Sequence, residues 1–292
     1  MAPLPSMKWG GGSTTVVFIH GNSSCRKVFQ HQLGGPLAES CRLIAFDLPG
    51  HGESDDALDP GRTYTRPGFA DAAIELLRTL AVSDAIVFGW SLGGHIAIEM
   101  SARFSGMRGL MISGTPPIGP GETALGFQRT SHLALARKRH LSADEVLAFA
   151  RGMAGEPVAP FLQGAIARAD GRARETLFEA RDAGAGIDQR AAVERNPMPV
   201  AVVNGAQDPF INLDFLDRVS YANLWGGRCQ RLAGLGHAAF WRGPDRFNPL
   251  LERFVGDLAC AARPGGLVEA EARKAGEAPA LGAGRFMASG GS

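Results

Sequence analysis

Short apolar runs alternate with segments of helical periodicity along most of this chain. The runs predicted to be strands fall at residues 15–19 (TVVFI), 42–46, 85–88, 109–112, 200–203 and, more weakly, 229–232. Apolar residues recur at helical spacing over residues 67–80 and 92–104. Uninterrupted apolar strands that alternate with helices are typical of a parallel sheet with crossover helices on its faces.

The stretch at 115–196 breaks this alternation. It opens with TPPIGPG and has helical patterns at 142–151 and 160–182, with no pattern typical of a strand. We interpret it as a helical cap inserted into a core made of residues 1–114 and 197–260. Residues 261–292 are rich in Ala, Gly and charge and poor in large apolar side chains, so we expect a disordered tail that cannot offset its ordering entropy.

A candidate nucleophile lies between a predicted strand and a predicted helix. Residues 89–93 read Gly-Trp-Ser-Leu-Gly, a GxSxG pentapeptide. A serine presented on a tight strand-to-helix turn needs small residues two positions before and after it, and this segment provides glycine at both. The alternative is a chance match in a chain with 39 glycines. The flanking strand and helix favour Ser91 as a nucleophile.

A serine hydroxyl becomes a good nucleophile only when a base accepts its proton. His237 lies in LAGLGHAAF, directly after the last predicted strand, and is the candidate base. Asp208 lies in NGAQDPF, after the strand at 200–203, where its carboxylate can accept a hydrogen bond from the other ring nitrogen of the histidine. The alternative for Asp208 is an exposed loop aspartate before proline.

The other histidines near these motifs have simpler interpretations. His20 and His51 begin HG turns and are expected to be structural, and His95 belongs to the helix after the elbow. His132 and His140 fall in the predicted cap near a basic run and are expected to be exposed.

The segment HGNSS follows the first predicted strand and leads into a loop. In a serine hydrolase with a strand–turn–helix nucleophile, such a loop contributes one backbone N–H to the developing oxyanion, and the residue after the serine contributes another. Asn22 and Leu92 are therefore the predicted oxyanion donors. A plain turn is the alternative for HGNSS.

Charge and composition exclude several other classes. Thirty basic residues balance 29 acidic ones, so no electrostatic field would attract nucleic acid or an anionic membrane. No apolar run reaches the roughly 18 residues that span a bilayer, and the N-terminus lacks a signal-peptide core. The four scattered cysteines predict reduced thiols. We therefore expect a cytoplasmic protein with a small-molecule partner; its oligomeric state is not predicted.

The motifs HGNSS, DLPGHGES, VFGWSLGGH, NGAQDPF and GHAAF occur in the order seen in the α/β-hydrolase superfamily, which the chain resembles over residues 15–260. A narrower resemblance, to the α/β-hydrolase-type N-acyl homoserine lactonases, rests on residues 59–72, 88–100, 107–117, 170–174 and 200–215. It implies opening of the lactone ring of bacterial quorum-sensing signals by a Ser91–His237–Asp208 triad. No cofactor or metal is implied, because the chain has no HxHxDH cluster.

Two positions depart from what this resemblance implies. Asp208 stands where glutamate is expected, and either carboxylate can orient a histidine. Phe149 stands where tyrosine is expected, which removes a hydroxyl that could contact the polar head of a substrate. We predict an apolar acyl pocket formed by Trp90, Phe149, Met153 and Phe240, although each is as consistent with ordinary core.

The N-terminus is a third departure. The superfamily begins with an antiparallel strand pair, whereas about fourteen residues, many of them Gly, Pro and Ser, precede the first predicted strand here. The pair is therefore expected to be shortened or absent, which would leave the strand at 42–46 as an exposed edge.

Two other functions share this machinery. A carboxylesterase of small esters would need no homoserine-lactone pocket, and a receptor-like α/β-hydrolase would bind a lactone and turn it over slowly. Epoxide hydrolase and dehalogenase chemistry is disfavoured, because those relatives place aspartate where Ser91 stands.

Overall fold

Seven strands form one sheet in the computed structural model of this chain, which describes Leu4 and residues 6–261. The strands are β1 (Ser6–Trp9), β2 (Thr14–Ile19), β3 (Cys41–Phe46), β4 (Ala85–Trp90), β5 (Met107–Ser113), β6 (Val200–Gly205) and β7 (Gln230–Leu232). Their order across the sheet is β1-β3-β2-β4-β5-β6-β7, and all neighbours are parallel except the β1–β3 pair. The six strands predicted from apolar runs are confirmed.

The central strands are uninterrupted apolar runs because helices cover both of their faces. In β2, Val16, Val17, Phe18 and Ile19 are fully buried, and every residue of β4 and β6 is buried. The ends of these strands therefore hold the loops that follow them in fixed positions.

The N-terminal strand corrects one expectation. β1 pairs antiparallel with β3, with Ser6 opposite Phe46 and Trp9 opposite Leu43. β3 therefore lies between two strands, and the prediction that it forms an exposed edge was wrong. Within the described residues, one strand of the expected pair, β1, precedes β2.

Helices fill the connections. They are α1 (Gln30–Leu33), α2 (Leu37–Ser40), α3 (Pro60–Thr63), α4 (Arg66–Thr79), α5 (Leu92–Ser101), α6 (Thr123–Gly126), α7 (Ser131–Leu135), α8 (Ala143–Ala154), α9 (Pro160–Arg168), α10 (Gly171–Asp182), α11 (Gln189–Arg195), α12 (Leu213–Asp217), α13 (Ala239–Arg242) and α14 (Pro244–Ala261), with short 3₁₀ helices at Arg26–Phe29 and Trp225–Gly227. None of the described helices is both long enough and apolar enough to cross a membrane.

The segment between β5 and β6 contains six of these helices, α6 to α11, where the cap is predicted. The helical pattern at 160–182 is two helices, because the chain turns at Ala169 and Asp170. The Asp170 side chain accepts a hydrogen bond from Arg172 N (3.0 Å) and so caps the start of α10. The disordered tail predicted at 261–292 lies outside the described residues, apart from Ala261 at the end of α14.

An aromatic cluster fixes β4 from one side. The Phe88 ring centroid lies 5.9 Å from that of Phe18, 5.6 Å from Phe29, 5.4 Å from Phe240 and 5.3 Å from Phe247. All five rings are fully buried. Tightly packed rings of this kind hold a strand rigidly, and β4 is the strand that ends at the GxSxG turn.

Candidate active site

Ser91 occupies the turn between β4 and α5 in a backbone conformation that serine rarely adopts, with φ 54° and ψ −117°. The flanking glycines make this turn possible. A Cβ atom on Gly93 would lie 1.9 Å from the carbonyl oxygen of Ile19, and one on Gly89 would lie 2.4 Å from that of Gly93. The prediction that both positions must be small is confirmed, because backbone atoms fill the space on both sides.

Hydrogen bonds hold the turn from the neighbouring strand. The backbone N–H of Ser91 donates to the Ser113 carbonyl (2.8 Å), and the Thr115 hydroxyl donates to the Ser91 carbonyl (2.8 Å). Ser91 is therefore fixed to the end of β5 as well as to β4. This arrangement presents its side chain at the first turn of α5, where free backbone N–H groups and the helix dipole favour negative charge.

His237 and Asp208 lie on separate loops, and their side chains contact each other. Asp208 Oδ2 lies 2.7 Å from His237 Nδ1, and both side chains are buried. Asp208 Oδ1 accepts hydrogen bonds from the backbone N–H groups of Phe210 (2.8 Å) and Ile211 (3.3 Å). The carboxylate is thus held by its own loop, and it fixes the orientation of the imidazole so that Nε2 is the free ring nitrogen.

The histidine ring is also held by its surroundings. Its ring centroid lies 4.6 Å from that of Phe210, and Trp90 Nε1 donates to the His237 carbonyl (3.0 Å). Gly114 has φ +63° and passes so close that a Cβ there would lie 2.5 Å from His237 Cε1. The imidazole consequently has little freedom to rotate.

One cavity brings the predicted site residues together. It has about 760 Å³ of empty volume, part of it open to solvent, and Ser91, His237, Asn22 and Leu92 all line it. The rest of the wall is mostly apolar and consists of Ile118, Phe127, Leu133, Ala136, Phe149, Met153, Leu177, Phe178, Phe210 and Ile211, with Arg66, His95 and Arg181 as polar members.

The four predicted acyl-pocket residues divide into two pairs. Phe149 and Met153, both on α8, line the cavity. Trp90 and Phe240 do not line it. Each is fully buried, their rings pack against one another at 5.3 Å, and the Trp90 ring lies 5.5 Å from that of His237. The structure thus places Trp90 and Phe240 in the core, where they support the site without forming its wall.

Most of the lining residues were missed by sequence reasoning, but two of them had a usable signal. Phe210 and Ile211 directly follow Asp208 and Pro209, and both contribute to the cavity wall. Their position beside the predicted acid was a usable signal, because a loop that delivers a carboxylate to a site also delivers its neighbours.

The histidines assigned structural roles are buried and hydrogen-bonded. His20 Nε2 accepts from Leu48 N (3.0 Å), and His51 Nδ1 contacts the Pro49 carbonyl (2.9 Å). Burial lowers the pKa of His20 to about 4 and that of His51 to about 3. His132 differs from expectation, because it is half-buried with its ring 6.4 Å from that of Phe210.

His95 lies one helical turn after Ser91 and also lines the cavity. Its Nδ1 atom contacts Gln189 Oε1 at 2.6 Å, and burial lowers its pKa to about 3. It is therefore neutral at physiological pH. Within the described residues, no group of three His, Cys, Asp or Glu side chains is arranged to hold a metal ion.

A mostly parallel sheet with a serine elbow after a central strand, and with an acid and a histidine on the loops that follow later strands, defines a class of enzyme. The sequence profile of the alpha/beta hydrolase family matches residues 16–250, and the chain belongs to that family.

Three relatives are hydrolases or members of the hydrolase superfamily by name. The chain is 45% identical to the N-acyl homoserine lactonase AidH, with a TM-score of 0.85 over 87% of this chain and 93% of the other, in a structure that contains N-hexanoyl homoserine lactone. It is 29% identical to a pimeloyl-[acyl-carrier protein] methyl ester esterase of Stenotrophomonas maltophilia, over 86% of this chain and 96% of that protein. The AB hydrolase superfamily protein YisY of Bacillus subtilis is 34% identical over a shorter stretch, which spans 33% of this chain and 35% of that protein. These relatives support hydrolase activity.

The buried neutral histidines predict acid sensitivity. The pKa values of His20, His51 and His95 are lowered from 6.5 to between about 3 and 4 in the folded chain, so the unfolded chain binds protons first as the pH falls. Their stabilising contribution is complete above pH 6.5 and is lost progressively below it. We expect the melting temperature to fall as the pH is lowered from 6.5 towards 4.

His95→Asn should make this decline shallower, because asparagine can still donate to Gln189 but does not titrate. His140→Asn, which changes an exposed histidine, is the matched control and should leave the slope unchanged. If differential scanning fluorimetry gives the same slope of melting temperature against pH for wild type and His95→Asn, the contribution of His95 to the acid sensitivity is contradicted.

Proposed function

We propose that this chain is a metal-independent serine hydrolase that opens the lactone ring of N-acyl homoserine lactones and so inactivates quorum-sensing signals. The observation that carries the proposal is the single cavity lined by Ser91, His237, Asn22 and Leu92, together with the 2.7 Å contact between His237 and the buried Asp208. A cytoplasmic location stays a prediction from the sequence.

The first half-reaction forms an ester on Ser91. His237 Nε2 accepts the proton of the Ser91 hydroxyl as Oγ attacks the lactone carbonyl carbon. The backbone N–H groups of Asn22 and Leu92 stabilise the negative oxygen of the tetrahedral intermediate. The bond between the carbonyl carbon and the ring oxygen then breaks, and His237 returns its proton to that oxygen, which becomes the hydroxyl of the homoserine part.

The second half-reaction consumes one water. His237 accepts a proton from the water, whose oxygen attacks the acyl carbon, and the proton then passes to Ser91 Oγ as the ester bond breaks. The hydroxyl released in the first step remains tethered to the acyl group, so it can attack the ester and reform the lactone. Net hydrolysis therefore requires deacylation by water to outpace this return.

The cavity wall supports an acylated substrate. Phe149 and Met153 from α8 and Phe210 from the Asp208 loop are apolar and face the space beside Ser91, where an acyl chain could be buried away from water. AidH, which is 45% identical, has been solved with an N-acyl homoserine lactone bound. Together these observations favour an amphipathic ester or lactone over a polar one.

A carboxylesterase of small acyl esters is the second candidate. Phe149 favours it, because a phenyl ring at the cavity wall offers no hydroxyl to the amide or ring oxygen of a homoserine lactone. The methyl ester esterase relative also acts on an ester of an acyl chain. The same triad and oxyanion donors would serve either substrate.

The first test compares wild type with Ser91→Ala. Mass spectrometry of an N-acyl homoserine lactone incubated with wild type should show the gain of one water over many turnovers. Ser91→Ala should lose activity by several orders of magnitude, because removal of a triad member leaves only residual catalysis of about 10³–10⁴-fold over water. Thermal melting of both proteins checks that the variant is folded.

Each other outcome has a meaning. If wild type cleaves an aryl ester but leaves the lactone intact, the esterase function replaces the lactonase function. Stoichiometric lactone binding without repeated turnover would indicate a receptor-like role. Loss of activity in EDTA would contradict a metal-independent reaction.

The second test concerns position 149. Phe149→Tyr places a hydroxyl on the cavity wall, where it can hydrogen-bond to the polar head of a homoserine lactone. We expect kcat/KM for the lactone to rise about tenfold, as one hydrogen bond of about 1.4 kcal/mol would give, with little change for an aryl ester.

Phe149→Leu is the matched control, because it keeps an apolar wall without the hydroxyl. It should show no lactone-specific gain. A rise of equal size for both substrates after Phe149→Tyr would contradict a direct contact between position 149 and the homoserine lactone head.

A further inference from the structure

Arg174 on α10 is a buried arginine whose charge is not neutralised by an ion pair in the described part of the chain. It is 4% exposed, and burial lowers its pKa. Its Nε and Nη2 atoms donate to the carbonyls of Lys138 and Arg139, both at 2.8 Å. A buried guanidinium is unfavourable unless its donors are satisfied, so this position needs an explanation beyond packing.

The third nitrogen of the Arg174 guanidinium, Nη1, joins α10 to the loop after β2. It donates to Ser23 Oγ at 3.1 Å and, over a longer distance of 3.5 Å, to the Ile166 carbonyl. Ser23 Oγ in turn donates to Asn22 Oδ1 at 3.1 Å. Ser23 is fully buried in the loop after β2. The arginine is therefore connected, through one hydroxyl, to the residue proposed to supply an oxyanion N–H.

The other end of the Asn22 amide is also held from the same segment. Asn22 Nδ2 donates to the Ala136 carbonyl at 2.8 Å, and Ala136 and Asn22 both line the cavity. The chain at 136–139 thus contacts Asn22 directly and Arg174 through two carbonyls. These bonds occupy both polar atoms of the Asn22 side chain, so the side chain positions the loop and leaves the backbone N–H for the oxyanion.

The backbone of this loop needs such support. Ser23 has φ 57°, a left-handed conformation that a residue with a Cβ adopts only when its surroundings hold it there. The Asn22 N–H belongs to the peptide group one residue before this strained position, and the Ser23 hydroxyl also holds the Asn22 side chain, so a change at Ser23 would release Asn22 from its present orientation. An oxyanion donor must be aimed to within a few tenths of an ångström of its target.

We propose that Arg174 is a positioning residue that, through Ser23, aims the Asn22 N–H at the oxyanion and couples the segment between β5 and β6 to the catalytic centre. The proposal rests on the proposed serine-hydrolase function, but not on the lactone as substrate. A substrate that contacts the cavity wall at Ala136 would act on the same network that sets the oxyanion donor.

The sharpest variant is Ser23→Ala, because it breaks the connection and leaves the bonds of Arg174 to carbonyls in place. The oxyanion forms only during reaction, so loss of its aim should lower kcat and leave KM nearly unchanged. We expect kcat for p-nitrophenyl acetate to fall about tenfold or more, less than the roughly 10²–10³-fold cost of deleting a donor outright.

Ser24→Ala is the matched control. Ser24 is also fully buried in this loop, and its hydroxyl has no hydrogen-bond partner among the described residues. The same atom is thus removed one residue away, without breaking the connection. Its kcat should stay within about twofold of wild type, well below the effect expected of an oxyanion change.

Arg174→Lys tests the arginine itself, because lysine keeps the charge but cannot bridge the same set of acceptors. If Arg174 acts through Ser23, the double variant should be no slower than the slower single variant, whereas independent effects would multiply. Melting temperatures are measured in parallel. If Arg174→Lys does not fold, the comparison of kcat between Ser23→Ala and Ser24→Ala still tests the connection through Ser23.

The outcomes separate this proposal from the proposed function. Wild-type kcat in Ser23→Ala, or a fall in melting temperature with kcat unchanged, would overturn the positioning role while the hydrolase stands. If the variants change kcat for the aryl ester as expected but wild type opens no lactone, only the lactonase assignment is overturned. Absence of turnover in wild type on every ester and lactone would overturn both.

Discussion

The proposed catalytic site depends on one close approach, between the turn that carries Ser91 and the end of β2. Gly93 lies so near the carbonyl of Ile19 that no side chain fits between them. This contact requires glycine at position 93 and places the start of α5 beside the loop that contains Asn22. Asn22, one of the two proposed oxyanion donors, lies near the proposed nucleophile Ser91 because β2 and β4 are neighbours in the sheet.

The sheet that supports this approach could be predicted from the sequence because central parallel strands are covered on both faces. Residues 15–19 and 200–203 read as unbroken apolar runs for that reason. Ser91, Asp208 and His237 were identifiable because each follows a strand, and parallel strands end at the same edge of a sheet. The strand β1 could not be predicted in this way, because a short, partly exposed strand that pairs with a distant segment has no comparable apolar signal.

The acyl-pocket residues show a different limit of sequence reasoning. Trp90, Phe240, Phe149 and Phe210 are all large apolar side chains, yet the first two pack in the core and the other two face the cavity. The hydrophobic effect is not directional, so the sequence does not show whether an aromatic ring will face the core or a cavity. The structure distinguishes the two kinds of ring, because it shows that Trp90 and Phe240 pack against one another in the core.

The polar network around Arg174 connects the segment between β5 and β6 to the loop that contains Asn22. Its hydrogen bonds join carbonyls of residues 136–139 to the loop after β2. Such contacts join segments more than a hundred residues apart and have no signature in local periodicity. A site built this way is complete only when both parts of the chain are in place.

The claim tested most directly is that Ser91 becomes covalently acylated during turnover. Wild-type protein is mixed with an N-acyl homoserine lactone, quenched in acid within the first turnovers, digested and weighed by mass spectrometry. The account predicts an adduct on the peptide containing Ser91 equal to the full mass of the lactone, since ring opening loses no atom. Product that accumulates while this peptide stays unmodified, with Ser91→Ala as active as wild type, would contradict it.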